Sequence, residues 1–358
     1  MLKQRMLATT AATTAIVALL ALPQQSEAAT YEATIAYGAA VADYQVPAME
    51  AFKNYIEVAT DGDLTITITT MEALGGDDRA VVDQTRLGEL EFNASVTSGA
   101  FSGVFPSVAV WNWPFMFPGR HVSWTLFQDP EYRAVVADQV YEASGGTLRW
   151  LGAAENSIRN LYATHGPIRT PDDLASFGTK IRTMQIPMHQ EVWAALGAGA
   201  VVALPAPERY TAKQTGMIDA TEGGLMSAWN AGLLEVSDHV TLTGHMYDFH
   251  SYIVNAEFFD SLPADYQQAV VEATLIATRI QDAYAYGADM EALRLIIEDG
   301  NTVYDPTAEE IAQWREVAEP VARGFIEDVA DPELIEATFA AVERIEANYR
   351  VQPAGGTD

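Results

Sequence analysis

The chain has 358 residues, 49 acidic against 20 basic side chains, a formal net charge of −29 and no cysteine. It exceeds the ~250–300 residues at which a single core usually stops growing, so two lobes are expected. Such a surface repels polyanions, which disfavours nucleic acid and anionic membranes as partners, and the lack of cysteine removes disulfides, thiolate metal sites, cysteine nucleophiles and a lipoprotein anchor.

Lys3 and Arg5 precede the apolar run from Ala15 to Leu22, and Ser26 and Ala28 stand just before a cleavage point ahead of Ala29. This pattern predicts a cleavable signal peptide over residues 1–28, because the run is shorter than the ~20 residues of a membrane span. Nothing later is long and apolar enough to cross a bilayer, so a soluble periplasmic chain, not inserted in the membrane, is expected from Ala29 onward. Alternating side chains predict strands at Tyr31–Tyr37 and Leu64–Thr70, around a helix over Val46–Thr60. Gly75-Gly76 marks a turn, Asp77 opens a helix to Leu87, Phe92–Val96 is a short strand, and the aromatic run Trp111–Phe117 reads as packed core. Strands are expected at Leu148–Ala153, Ile158–Thr164 and Lys180–Met184, with a turn at Arg169–Asp173 and a helix from Pro187 to Leu196. The pattern from Ala264 to Glu298 predicts a helix long enough to run along both lobes. Helices at Thr307–Ala330 and Pro332–Tyr349 then precede a flexible tail, residues 351–358. This order of strands and helices is that of an α/β protein.

Basic residues are scarce, so an arginine inside an apolar strand stands out. Arg182 lies between Ile181 and Met184, in a strand leading into a helix opened by Pro187. A strand end facing a helix start is where open α/β sheets bind anions, and a guanidinium fork suits carboxylate oxygens. Arg159, between Ile158 and Leu161, occupies a comparable strand. For both, a structural ion pair with one of the many carboxylates is the competing reading. None of the six histidines forms a zinc-protease motif, while a carboxylate-and-carbonyl site for calcium or sodium stays open in so acidic a chain. Gly197-Ala198-Gly199 follows a helix and lacks the third glycine of a dinucleotide fingerprint, and no serine sits in a glycine-flanked elbow. An enzyme is therefore not expected, and no cofactor is required.

Read together, Ala73-Leu74-Gly75-Gly76-Asp77, Leu87-Gly88-Glu89-Leu90-Glu91, Trp113-Pro114-Phe115-Met116-Phe117, Pro171-Asp172-Asp173-Leu174 before Thr179-Lys180-Ile181-Arg182, Glu208-Arg209-Tyr210, Gly216-Met217-Ile218-Asp219-Ala220 and Thr243-Gly244-His245 resemble, in order and spacing, the DctP-family substrate-binding proteins of TRAP (tripartite ATP-independent periplasmic) transporters. The resemblance implies a two-lobed periplasmic binding protein fold with a ligand cleft between the lobes. Residues 29–155 plus about 244–282 would form lobe I, and 156–243 plus about 283–350 lobe II. It also implies capture of a small organic anion, a C4-dicarboxylate or sugar acid, for delivery to TRAP membrane permease subunits. The family's ligand arginines lie at the motifs matched by Lys180-Ile181-Arg182 and Asn156-Ser157-Ile158-Arg159, so Arg182, Arg159 and Asn156 become site candidates. A polar residue after the Phe92 strand, among Ser95, Thr97 and Ser98, is implied as well.

One run departs from the family. Many relatives carry Asp-Gly-Gln-Glu-Asn, whose asparagine contacts ligand, where this chain reads Asp219-Ala220-Thr221-Glu222-Gly223, so that contact is lost or supplied elsewhere. The form resembles the oxo-acid branch, which makes Glu222 a further candidate, but the tryptophan that usually follows the glutamate is absent, and a bridging cation is not expected. The alternatives are the same fold holding a 2-oxo acid with a cation, or a sulfonate, and, from another class, an exported hydrolase or lyase.

Overall fold

The structure is a computed structural model that describes residues 30–38 and 42–349; the expected signal peptide and tail lie outside the described residues. The first stretch runs β1 (Tyr31–Tyr37), α1 (Ala42–Ala59), β2 (Leu64–Thr70), α2 (Asp78–Leu87), β3 (Phe92–Thr97), α3 (Ser98–Phe101), α4 (Arg120–Leu126) and α5 (Pro130–Ala143). The middle comprises β4 (Leu148–Ala163), α6 (Pro171–Ser176), β5 (Lys180–Thr183), α7 (Pro187–Ala195), β6 (Ala200–Ala203), α8 (Arg209–Gln214), β7 (Ala220–Gly223) and α9 (Leu225–Asn230). The chain ends with β8 (His239–Asn255), α10 (Ala256–Ser261), α11 (Ala264–Glu298), β9 (Thr302–Tyr304), α12 (Ala308–Val329) and α13 (Pro332–Tyr349).

All nine strands among the described residues belong to one sheet, in the order β2-β1-β3-β8-β4-β7-β5-β6, with β9 beside β8. The two lobes meet along β4 and β8, antiparallel strands of 16 and 17 residues paired from Leu148↔Asn255 to Ala163↔His239. One end of this pair extends lobe I, since β3 pairs with β8 from Phe92↔Val254 to Thr97↔His250. The other end extends lobe II, since β7 pairs with β4 from Asn160↔Gly223 to Ala163↔Ala220.

Polar residues explain why β4 looks like two strands in the sequence. Glu155, Asn156 and Ser157 interrupt the apolar pattern, but the first two are held in place: the Glu155 N–H donates to Asp282 Oδ1 (2.7 Å) and the Asn156 amide to Asp248 Oδ2 (3.1 Å). The segment expected as a turn at Arg169–Asp173 is the capped start of α6, because Thr170 and Asp173 satisfy each other's backbone N–H groups and Pro171 has a φ already suited to the first helical turn. The aromatic run is core: Trp111 is fully buried and packs edge-on against Phe127, with ring centroids 5.2 Å apart.

The long helix α11 serves both lobes. Its first half buries Val270, Ala273 and Ala277 with Phe52 and Tyr252 in one apolar cluster, and its last turns bury Ala292 and Ile296 with Tyr162 and Val240 in another. In contrast, α13 packs on α4 and α5. Its buried face, Leu334, Thr338 and Val342, covers apolar surface there, and the Thr338 hydroxyl lies 3.0 Å from that of Tyr132.

Just ahead of β5 and β6 the chain passes so close to itself that a Cβ on Gly199 would stand 2.4 Å from the Gly178 carbonyl oxygen. Gly199→Ala is expected to lower unfolding free energy by about 1–3 kcal/mol, through forced backbone movement, in urea denaturation. An unchanged midpoint would show that this approach is loose.

Candidate functional site

A cavity of about 770 Å³ opens where the two lobes face each other across the β4–β8 pair. Its size is in the range of small-molecule sites. Lobe I contributes the start of α2, with Asp77, Asp78 and Arg79, and Thr97 at the end of β3. The hinge strands contribute Asn156, Ser157, Arg159 and Asp248. Lobe II contributes Arg182 from β5, Arg209 from α8 and the Gly223-Gly224 backbone.

Arg182 is 3% exposed, and its Nε donates to the Leu204 carbonyl at 2.8 Å, joined there by Nη2. Among the described residues no carboxylate lies within 4.0 Å of it, so the guanidinium has no ion-pair partner. Burial and the nearby Arg209 and Arg159 pull its pKa down to about 10, with Glu222 offsetting part of this, and it stays a cation at neutral pH. A buried cation without a counterion is costly to hold and gains from an incoming anion.

Arg159 is different. One edge of its guanidinium, Nε and Nη2, engages both oxygens of Glu222, with Nη2 to Oε1 at 2.9 Å, and Nη1 lies 3.3 Å from Asp248 Oδ2. Two carboxylates thus face one guanidinium. Burial alone would lower its pKa, but Glu222 and Asp248 more than offset this, while burial of Glu222 is outweighed by Arg159 and His245, which hold that carboxyl well below its ordinary value.

Of the residues singled out in the sequence, Arg182, Arg159, Asn156 and Thr97 line the cavity. Asn156 is fixed by the Tyr44 hydroxyl, which donates to its Oδ1 at 2.5 Å, and the Thr97 hydroxyl donates to Asp78 Oδ2 at 3.2 Å. Glu222 and Ser98 do not line it among the described residues. Glu222 is fully buried behind the wall as the partner of Arg159, and Ser98 is buried in the first turn of α3. Arg209 was not singled out: Glu208-Arg209-Tyr210 figured only as a motif, and an arginine in a short helix after a Pro-rich turn carries no strand-end signal. It is 6% exposed, donating from Nε to the Ala206 carbonyl (3.1 Å) and from Nη2 to Ser227 Oγ (3.3 Å). It too has no carboxylate within 4.0 Å among the described residues.

A family model described as bacterial extracellular solute-binding protein, family 7 (DctP), matches residues 35–328. The chain belongs to this family. DctP proteins of the TRAP type are solute receptors and not enzymes. This family member is 29% identical over 267 residues to the 2,3-diketo-L-gulonate-binding periplasmic protein of Escherichia coli K12, covering 74% of this chain and 78% of that one. It is also 29% identical to the ectoine-binding periplasmic protein of Halomonas elongata, over 80% and 82% of the two chains. Among solved structures, a TRAP periplasmic solute-binding protein from Ochrobactrum anthropi superposes with a TM-score of 0.81 at 25% identity, over 90% of this chain and 99% of that one. The galactonate complex of a sugar acid binding protein from Advenella mimigardefordensis shares the fold at 24% identity, with a TM-score of 0.76 over 89% of this chain and 100% of that one. No helix among the described residues is long and apolar enough to cross a membrane.

At the middle of β4, a charge cluster that reaches the cavity wall through Asp289 ties the hinge to α11. Arg120 bridges Asp289 (2.5 Å) and Glu155 (3.2 Å), and Glu155 also accepts the Trp124 indole N–H at 2.8 Å. Burial pushes the Glu155 carboxyl up from 4.5 to about 7, with Arg120 and Trp124 working the other way. Between these values the folded chain holds a proton that the unfolded chain has released, so stability falls as pH rises through the window. From pH 5 to pH 8 the native chain is expected to lose about 1–3 kcal/mol more unfolding free energy than Glu155→Gln, read by urea denaturation at each pH. Equal losses would mean that Glu155 is ionised throughout.

Proposed function

We propose that this DctP-family member is an exported receptor that takes a small organic carboxylate, a C4-dicarboxylate or sugar acid, into the cleft and delivers it to TRAP permease subunits in the cytoplasmic membrane. The observation that carries this reading is Arg182: a cation, 3% exposed, facing a cavity between two lobes and bound only to a carbonyl. A ligand carboxylate there gains charge-assisted, two-point hydrogen bonds, and closure of the lobes strengthens them by removing water. Relatives point the same way, since the names of matching proteins include a C4-dicarboxylate binder from Rhodobacter capsulatus and fold neighbours hold galactonate or succinate. Export rests on the charged, apolar and small-residue pattern of residues 1–28, with the periplasm as destination.

Lysine at position 182 keeps the charge and loses the fork. Arg182→Lys is therefore expected to weaken binding of the cognate acid by about 2 kcal/mol or more, roughly 30-fold, in calorimetry, with circular dichroism unchanged. Native affinity in this variant would remove Arg182 from the site. For the native chain, an acid supplied at ~100 times its dissociation constant should add about 2.7 kcal/mol to the folded state and raise the melting temperature clearly. No response to any dicarboxylate, sugar acid, oxo acid or sulfonate, together with an empty cleft by mass spectrometry of the denatured protein, would refute the receptor reading.

A further inference from the structure

We propose that Arg209 is the second acid-binding residue of the cleft, forming one wall with Arg182, and that Asp78 and Asp248 on the lobe I and hinge side select an acid whose far end carries hydrogen-bond donors, hydroxyl or ammonium, over a dicarboxylate. This rests on the receptor reading above and specifies its ligand.

Three observations carry it. The first is where Arg209 sits. Its Nη1 lies 3.1 Å from where a Cβ on Gly223 would stand, so the guanidinium occupies space that any side chain at 223 would contest. Arg182 and Arg209 hang from neighbouring carbonyls of one loop, Leu204 and Ala206, and both line the cavity. Two adjacent guanidiniums, each more than nine-tenths buried and neither paired with a carboxylate among the described residues, form a wall with an unmet charge requirement.

The second is that Arg159 cannot hold a second acid group as a free cation. It already faces Glu222 and Asp248, so a ligand carboxylate arriving there would be a third anion against one guanidinium.

The third is the composition of the other side. Asp78 receives one hydrogen bond, from Thr97, and its neighbours Asp77, Glu72 and Asp248 are all carboxylates; burial first and then these charges raise its pKa. Asp248 engages Arg159 and Asn156, yet burial still leaves its carboxyl raised. Arg79 also lines this side but is exposed, where water screens it. A second carboxylate would be repelled here, whereas a hydroxyl or ammonium would donate to Asp78, which among the described residues accepts only from Thr97, and to the remaining acceptor capacity of Asp248 beside Arg159, Asn156 and the Phe249 N–H.

Calorimetry on the dialysed protein with three probes tests this: succinate, 4-aminobutyrate, which replaces one succinate carboxylate by an aminomethyl group, and D-galactonate, which carries hydroxyls. Either donor-bearing acid is expected to bind at least about tenfold more tightly than succinate, and which of the two does so distinguishes ammonium from hydroxyl recognition. Arg209→Leu should weaken the preferred acid at least about tenfold with an unchanged urea midpoint, and Asp78→Asn should narrow its advantage over succinate. Gly223→Val, which crowds the guanidinium with an apolar side chain and leaves Arg209 in the chain, should weaken binding similarly, and the Arg209→Leu/Gly223→Val double variant should lose less than the two single losses combined.

Tightest binding of succinate would overturn the two-walled assignment and leave the receptor reading standing. Native affinity in both Arg209→Leu and Gly223→Val would remove Arg209 from the site. If no probe binds, mass spectrometry of the denatured protein decides: a copurified donor-bearing acid supports the proposal, a dicarboxylate overturns it, and an empty cleft overturns it together with the receptor reading.

Discussion

The structure depends on one antiparallel pair of strands. Because β4 and β8 run through both lobes, neither lobe has a complete sheet without them, and any closure of the lobes has to bend this pair. The pair is irregular where the cavity lies: its register shifts between Glu155 and Ser157 and again between Arg159 and Leu161. Such shifts bend a strand and re-aim its side chains. In an even strand Asn156 and Ser157 would point to opposite faces, yet both line the cavity together with Arg159. The same irregularity that allows bending therefore gathers binding groups at the bend.

Around that bend, charge is sorted by depth. Arg159 is locked into a buried group with Glu222 and Asp248, which fixes β4, β7 and β8 to one another, while Arg182 and Arg209 are held by carbonyls that satisfy N–H groups without cancelling charge. Carbonyl anchoring keeps a guanidinium rigid and still cationic, a condition that a salt bridge would defeat. Arginine suits this use, because its five donors let some N–H groups anchor and others face the cleft.

Most of the architecture was legible because periodicity marks buried faces: β1, β2 and α11 lie where the alternating and helical patterns end, at Tyr31–Tyr37, Leu64–Thr70 and Ala264–Glu298. The pattern failed where polar groups are satisfied at a distance. Glu155 and Asn156 divide β4 into two expected strands because their partners, Asp282 and Asp248, lie far along the chain. The site shows the same limit. Arg182 could be found because a strand end before a helix is a local signal, whereas the neutralisation of Arg159 by Glu222, 63 residues away, is visible only in three dimensions. Arg209 owes its place to a glycine 14 positions later, in another element, and no periodicity reports that dependence.

The lobes are interleaved in sequence, and this bears on how the chain becomes native. The lobe I strands β1, β2 and β3 are complete by Thr97, but their next neighbour in the sheet, β8, begins only at His239, and α13, which covers α4 and α5, ends at Tyr349. Neither lobe can close its core from a contiguous early segment, so native pairing must wait for contacts of large sequence separation, which form slowly. The growing chain therefore remains without its final sheet until almost all of it is available. If the chain is exported through a membrane pore, as proposed above, this delay would keep it extended during passage and place the folding event on the far side.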